Sequence, residues 1–208
     1  MKNNIAIIDY GVGNIKSIYN AIKFCDNTIE VELVSIPEEL KNYSKIILPG
    51  VGAFHDAMEK INSTGFNEAI IAESKSGKYL LGICLGMQLL GTCSFEFGKF
   101  SGLNIIPGEV HPFDSEKLKL KVPHVGWNSV THNSENKLFT KIQDQSDFYF
   151  VHSFYFKCSD QQFSLAITEY GVDFSSAVKK DNVYGVQFHP EKSQLSGLQM
   201  IKNFLLMS

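Results

Sequence analysis

Three residues of this chain have the types and the settings for acyl-transfer chemistry: Cys84, His189 and Glu191. Cys84 stands in Tyr79-Leu80-Leu81-Gly82-Ile83-Cys84-Leu85-Gly86-Met87-Gln88-Leu89-Leu90, an apolar run that passes at once into a helix-like pattern. Glycines two residues to either side suit a sharp strand-to-helix turn, where strand and helix must approach closely and the central residue takes an unusual backbone conformation. A helix from Leu85 to Leu90 would put the sulfur at a helix N-terminus, where unpaired N–H groups favour a thiolate. A buried cysteine is often an inert core residue, so the partners decide.

Those partners lie in Val183-Tyr184-Gly185-Val186-Gln187-Phe188-His189-Pro190-Glu191-Lys192, a strand-like run ending in a His-Pro-Glu triplet. Proline biases the preceding residue toward extended backbone, which predicts that His189 and Glu191, at i and i+2, project to the same side. A carboxylate beside an imidazole fixes its tautomer and supports the imidazolium formed when it takes a proton. A lone histidine at a strand end is usually structural; a Gly-x-Cys-x-Gly turn upstream reverses that reading.

Taken together these segments resemble the class I (triad) glutamine amidotransferases, in which a cysteine, a histidine and a glutamate hydrolyse the side-chain amide of glutamine. Four further stretches carry the resemblance: Tyr10-Gly11-Val12-Gly13-Asn14, Leu48-Pro49-Gly50-Val51-Gly52-Ala53-Phe54, Pro123-His124-Val125-Gly126-Trp127-Asn128 and Phe150-Val151-His152-Ser153-Phe154. With them the chain is similar to the subgroup whose members pass ammonia to a separate (βα)8-barrel cyclase in histidine biosynthesis. The resemblance covers essentially the whole chain. It implies a glutaminase that needs no metal or cofactor, works as a heterodimer with the cyclase, and lies in the cytoplasm. Phe154 departs from a frequent tyrosine, which removes a hydroxyl but not a backbone contact.

The resemblance also distributes roles. Cys84, His189 and Glu191 are the catalytic set. The backbone around Val51 and the N–H of Leu85 form the oxyanion hole, and Gly50, Gly52, Gln88, Ser153 and Phe154 grip the glutamine. Asn14, Trp127 and Lys192 lie toward the partner, Lys192 facing a partner acid. The residues agree in part: Gln88 falls one helical turn after Cys84, so its amide can face the same cleft, and two glycines let the Pro49–Gly52 backbone present N–H groups inward. The plain alternatives are a polar helix residue and a strand-to-helix turn. Gly11-Val12-Gly13 and Gly50-Val51-Gly52 begin like dinucleotide fingerprints but lack the third glycine, Lys16 and His55 standing there, so a Rossmann cofactor site is excluded.

The elements that must position these residues alternate in the first half. Ile5–Asp9 reads as a buried strand, Val31–Val34 and Lys45–Leu48 as short strands rich in branched residues, and Tyr79–Ile83 as the strand before the cysteine; Ile15, Ile18, Tyr19 and Ile22 recur at helical spacing, and Ala53–Ile61 and Phe66–Ser74 are helical candidates. That predicts an α/β fold: an open, mostly parallel sheet flanked by helices, flavodoxin-like. The second half reads as strands over Gly108–Val110, Lys119–Val122, Ser129–Thr131, Asp147–Val151, Leu165–Glu169, Ser176–Lys179 and Tyr184–Phe188, with a helix over Gln194–Leu206, so an antiparallel, β-rich addition is expected. Lys117-Leu118-Lys119-Leu120-Lys121 alternates like an edge strand defended by lysines, and Gly126 and Asn128 suggest a turn around Trp127.

At 208 residues, 44% hydrophobic and 20% charged, one domain over 1–208 with a full core is expected. No apolar run reaches the ~20 residues that span a bilayer, and Met1–Asn4 leads straight into a strand, so no membrane association is expected. Cys25, Cys84, Cys93 and Cys158 form no Cys-x-x-Cys pair, which predicts free thiols rather than a zinc site or disulfides. All 19 basic residues are lysines and the net charge is −3. Forked arginine contacts are therefore unavailable, and nucleic-acid binding lacks a basic surface. Three other readings stay open: the same glutaminase chemistry feeding another acceptor, such as an ATP-dependent synthetase that amidinates a bacterial surface sugar; a cysteine peptidase on the same fold; and a catalytically dead regulatory subunit.

Overall fold

A computed structural model describes residues 4–132 and 135–208, apart from the side chains of Lys117 and Leu118. The leading Met1–Asn3 stretch lies outside the described residues. Apolar alternation and run length decide the early elements: β1 (Asn4–Ile8), α1 (Ile15–Cys25), β2 (Glu30–Val34), β3 (Lys45–Leu48), α2 (Phe54–Ser63), α3 (Phe66–Lys75), β4 (Tyr79–Ile83) and α4 (Leu85–Leu89). On α2, Phe54, Ala57, Met58 and Ile61 are buried, the i, i+3, i+4, i+7 stripe that faces a core. Then come β5 (Cys93–Ser94), β6 (Phe100–Ser101), β7 (Gly108–Pro112), α5 (Ser115–Leu118), β8 (His124–His132), β9 (Ser146–His152), β10 (Phe154–Cys158), β11 (Ser164–Glu169), β12 (Asp173–Lys180), β13 (Val183–Val186) and α6 (Gln194–Leu205).

Nine strands form one sheet in the order β2-β1-β3-β4-β13-β12-β11-β8-β9. The strands from β2 to β13 pair in parallel, and the rest add antiparallel, which matches the expected division of the chain. Burial follows from it: Ile46–Leu48 and Leu80–Ile83 are buried without a break, as parallel strands covered on both faces require. One core packs α1 and α6 against the sheet and the other packs α2, α3 and α4. A second sheet, β10-β7-β5-β6, lies beside the second core.

Three expectations fail. Lys119–Val122 is not a strand: Ser115–Leu118 is a helical turn and Lys119 takes φ 52°, so a cationic edge does not form; apolar alternation over five residues carries no pairing partner of its own. Trp127 sits inside β8, not at a turn, because pairing along the whole of β9 overrides the low strand propensity of Gly126 and Asn128. Finally, β5, β6 and β10 were not expected. The first two are only two residues long, and β10 begins two residues after β9 ends.

Candidate active site

Adjacent parallel strands bring the triad together. Ile83 of β4 pairs with Val186 of β13, and the Cys84 N–H donates to the Val186 carbonyl at 2.8 Å. Both strands therefore release their next residues at the same C-terminal edge, the usual ligand edge of an open α/β sheet. Cys84 takes φ 55°, ψ −111°, a region costly for a non-glycine residue. The flanking glycines make this turn possible. A Cβ on Gly82 would come within 2.6 Å of the Gly86 carbonyl oxygen, and one on Gly86 would come within 1.9 Å of the Leu48 carbonyl oxygen. The helix that follows has only five residues, so it offers the sulfur the leading N–H groups of one turn rather than a long macrodipole.

The base is held from three sides. His189 donates its backbone N–H to the Tyr149 carbonyl of β9 at 2.9 Å, and its own carbonyl accepts from Ser193 Oγ at 2.6 Å. Its Nδ1 lies 2.8 Å from Glu191 Oε1. The neighbourhood of His189 and Glu191 does not arise from extended backbone, as the sequence suggested; Pro190–Lys192 form a 3-10 turn that folds the carboxylate back. Both side chains are almost fully buried, and Glu191 Oε2 has no hydrogen-bond partner among the described residues. A carboxylate buried so incompletely satisfied is tolerable only beside a cation. Burial, the largest influence on His189, opposes its charging, but hydrogen bonds and charge from Cys84 and Glu191 outweigh it and push its pKa up to about 9. With Nδ1 committed to Glu191, Nε2 is the nitrogen left for the sulfur.

The Pro49–Gly52 segment lies over the start of α4. A Cβ on Gly50 would fall 2.8 Å from the Gly86 nitrogen and 2.9 Å from Leu85 Cβ, so Gly50 must be a glycine for the segment to approach Leu85. Its ends are tied: Tyr10 Oη donates to the Pro49 carbonyl at 2.9 Å, and Glu96 Oε2 accepts from the Phe54 N–H at 2.7 Å. Between them Gly52 takes φ 93° and Val51 is 39% exposed. Gln88 is buried and donates through Nε2 to the Phe154 carbonyl and to Gln187 Oε1, each at 3.0 Å. Gln187 Nε2 in turn lies 3.9 Å from Cys84 Sγ. The Ser153 carbonyl accepts from the Phe113 N–H at 3.1 Å. Gly50 thus lies against Leu85 and Gly86, which follow Cys84, and Gln88 is linked to the sulfur through Gln187.

Of the residues expected toward a partner, Trp127 and Lys192 meet through Tyr149: the Trp127 and Tyr149 rings lie 6.0 Å apart, and Lys192 Nζ lies 5.7 Å from the Tyr149 ring centre. Asn14 stands apart from them, before α1, where its Oδ1 accepts from Ser17 Oγ. Gly13 next to it packs on Pro49. Sequence reasoning missed Tyr10, Glu96, Tyr149, Gln187 and the paired His124 and His152. Gln187 had left a sign, since a polar residue between buried Val186 and Phe188 needs a partner.

Chain, fold and site together define a class: this chain belongs to the class I glutamine amidotransferase family, whose pattern it matches over residues 6–208. Among its relatives, it is 47% identical to the imidazole glycerol phosphate synthase subunit HisH of Helicobacter hepaticus, with 98% of each chain covered. It is 44% identical to the protein of the same name from Geobacter metallireducens, with 97% of each covered. Solved structures agree on the fold. A PurLQS structure from Thermotoga maritima gives a TM-score of 0.76 at 20% identity, covering 99% of this chain and 98% of that one. A glutamine amidotransferase from Thermotoga maritima gives 0.66 at 18% identity, covering 92% of this chain and 77% of that one. All four cysteines are free thiols, and among the described residues no helix is long and apolar enough to cross a membrane.

Proposed function

We propose that this chain is the glutaminase subunit of an imidazole glycerol phosphate synthase, and that residues 1–208 form one glutaminase domain. The observation that carries the reading is the Cys84–His189–Glu191 set at one sheet edge, in a chain that shares nearly half its residues with HisH proteins along almost its full length. Cys84 attacks the side-chain carboxamide of glutamine. The tetrahedral oxyanion is held by backbone N–H groups of Leu85 and the Val51 segment, where loss of one donor typically costs about 2.7–4 kcal/mol. His189, protonated, gives its proton to the departing ammonia and leaves a glutamyl thioester. Water activated by the now neutral imidazole releases glutamate, while Glu191 keeps the ring oriented. Gly50, Gly52, Gln88 and the backbone at Ser153 and Phe154 hold the amino-acid end of the substrate.

The partner is a cyclase subunit with a (βα)8 barrel, to which the ammonia passes for closure of an imidazole ring in histidine biosynthesis. Its docking face includes the outer side of the β8–β9 hairpin, where Val125, Trp127 and Val151 are exposed with Tyr149 and Lys192 alongside; Asn14, apart from them before α1, is a second point of contact. The Cys84 residue is only 6% exposed, and activity of the isolated subunit is low. The test is glutamate and ammonia release by the chain with its cyclase and nucleotide substrate. Wild type turns over and is stimulated strongly by the loaded cyclase; Cys84→Ala is reduced by at least a thousandfold. Undiminished turnover in Cys84→Ala removes the thiol from the mechanism, and absence of stimulation points to a different ammonia acceptor.

A further inference from the structure

Two buried histidines outside the triad form a chain of hydrogen bonds with one direction. Asn128 Nδ2 lies 3.3 Å from His124 Nε2, His124 Nδ1 lies 2.9 Å from His152 Nε2, and His152 Nδ1 lies 2.8 Å from the Phe154 carbonyl. A carbonyl can only accept, so His152 carries its proton on Nδ1 and presents a lone pair at Nε2. His124 must then donate through Nδ1, and its Nε2 accepts from the Asn128 amide. The Asn128 orientation is fixed independently: its Nδ2 donates to the Glu169 carbonyl at 2.9 Å and its Oδ1 accepts from the Ser129 N–H at 2.8 Å. The same Phe154 carbonyl accepts the Gln88 amide.

We propose that His124 and His152 are positioning residues that fix the Phe154 carbonyl, and through it Gln88, in the geometry that binds glutamine. The inference rests on the glutaminase reading of the site. Packing leaves the rings little freedom: His124 is stacked between Tyr170 and Phe150, with ring centres 4.0 and 4.8 Å away, and both histidines are buried. Both must also stay neutral: an extra proton on His152 would set two N–H donors against each other across 2.9 Å, and one on His124 would face the donating Asn128 amide across 3.3 Å. Burial supports this, holding His124 down at about 4. For His152 burial is again the largest cause; the bond to Phe154 works against it, the His124 and His189 charges with it, and the pKa falls to about 3.

The chemistry gives a specific failure. If His124 loses its donor, the buried Nε2 lone pair of His152 is left without a partner, and the ring turns to find one, carrying its Nδ1–H away from the Phe154 carbonyl. The carbonyl then turns away and Gln88 loses its anchor. The test uses the complex with the cyclase and compares wild type, His124→Phe and His124→Asn. An asparagine amide stands near the place of Nδ1 and can donate to His152. Long-range proton–nitrogen NMR shows the Nδ1–H tautomer of His152 in wild type, and in His124→Phe the Nδ1–H resonance moves upfield as its hydrogen bond to the Phe154 carbonyl is lost. The KM for glutamine rises roughly tenfold in His124→Phe, and inactivation by the glutamine-like electrophile 6-diazo-5-oxo-norleucine slows by a similar factor. Labelling by iodoacetamide, which needs no grip on an amino acid, stays within about twofold. His124→Asn returns the KM to within about threefold of wild type. The proposal is overturned by an Nε2–H tautomer in wild type, by an unchanged KM, by iodoacetamide labelling that falls in parallel, or by His124→Asn behaving like His124→Phe. Failure of wild type itself to turn over glutamine or to be labelled at Cys84 would instead sink the glutaminase reading, while the tautomer measurement stands apart from it.

Discussion

At Cys84 and His189 local strain and charge serve one end. The backbone at Cys84 is held at positive φ by close contacts of two glycines, and the imidazole opposite is pushed toward its charged form, against burial, by the Cys84 sulfur and by the Glu191 carboxylate, whose Oε2 has no hydrogen-bond partner among the described residues. This sets a pH dependence. The folded pKa of His189 is raised above its ordinary 6.5, so the stabilisation is full below pH about 6.5 and is lost as pH rises through about 9. At about 1.4 kcal/mol per tenfold change in proton affinity, the contribution is on the order of 3 kcal/mol. In urea unfolding, Glu191→Gln is therefore less stable than wild type at pH 6, and the gap narrows by pH 10; a constant gap would mean that the folded state does not hold a charged imidazole. Cys84, His189 and Glu191 were legible because their flanking glycines and proline constrain the backbone within a few residues. Tyr10 and His124 were not, since each bonds a group far along the chain that only the sheet brings near, the Pro49 carbonyl and the His152 ring.

At the scale of elements, α6 decides where Glu191 stands. A Cβ on Gly197 would fall 2.0 Å from the Pro190 carbonyl oxygen and 2.7 Å from Ser193 Cβ, so only glycine lets the helix lie against the turn that folds Glu191 under His189. Gly197→Ala forces the two apart. Overpacking of this kind costs about 1–3 kcal/mol, and a displacement near 1 Å at the base lowers turnover by roughly a hundredfold. Steady-state glutaminase assays beside urea melts check both numbers, and a fully active Gly197→Ala would show that the turn tolerates the shift. The strand and helix order of the first half was legible, because parallel strands buried on both faces are apolar throughout and their helices carry a clear stripe. The second half was less so. Pairing with β9 made a strand of Gly126 and Asn128, whereas Lys119–Lys121 alternates without a partner.

Over the whole molecule, the outer side of the β8–β9 hairpin sets Val125 opposite Val151 and Trp127 opposite Tyr149, an apolar and aromatic face beside Lys192. With no arginine in the chain, the cations it can offer a partner's acids at a docking surface are lysines, whose single-point geometry gives less orientation than a fork. Trp127 should then carry much of the affinity. Trp127→Ala weakens binding of the cyclase subunit by thirtyfold or more, the loss of about 2 kcal/mol expected of a central aromatic anchor, measured by titration calorimetry; an unchanged Kd would place the interface elsewhere. On its other side β9 turns Phe148, Phe150 and His152 inward. Side chains alternate with a period of two, so sliding β8 or β9 by one residue would drive Trp127 or Val151 into the interior and put Phe150 or His152 in water. A mispaired hairpin would thus forfeit the proposed handle for the cyclase and the bearing for the base in a single error.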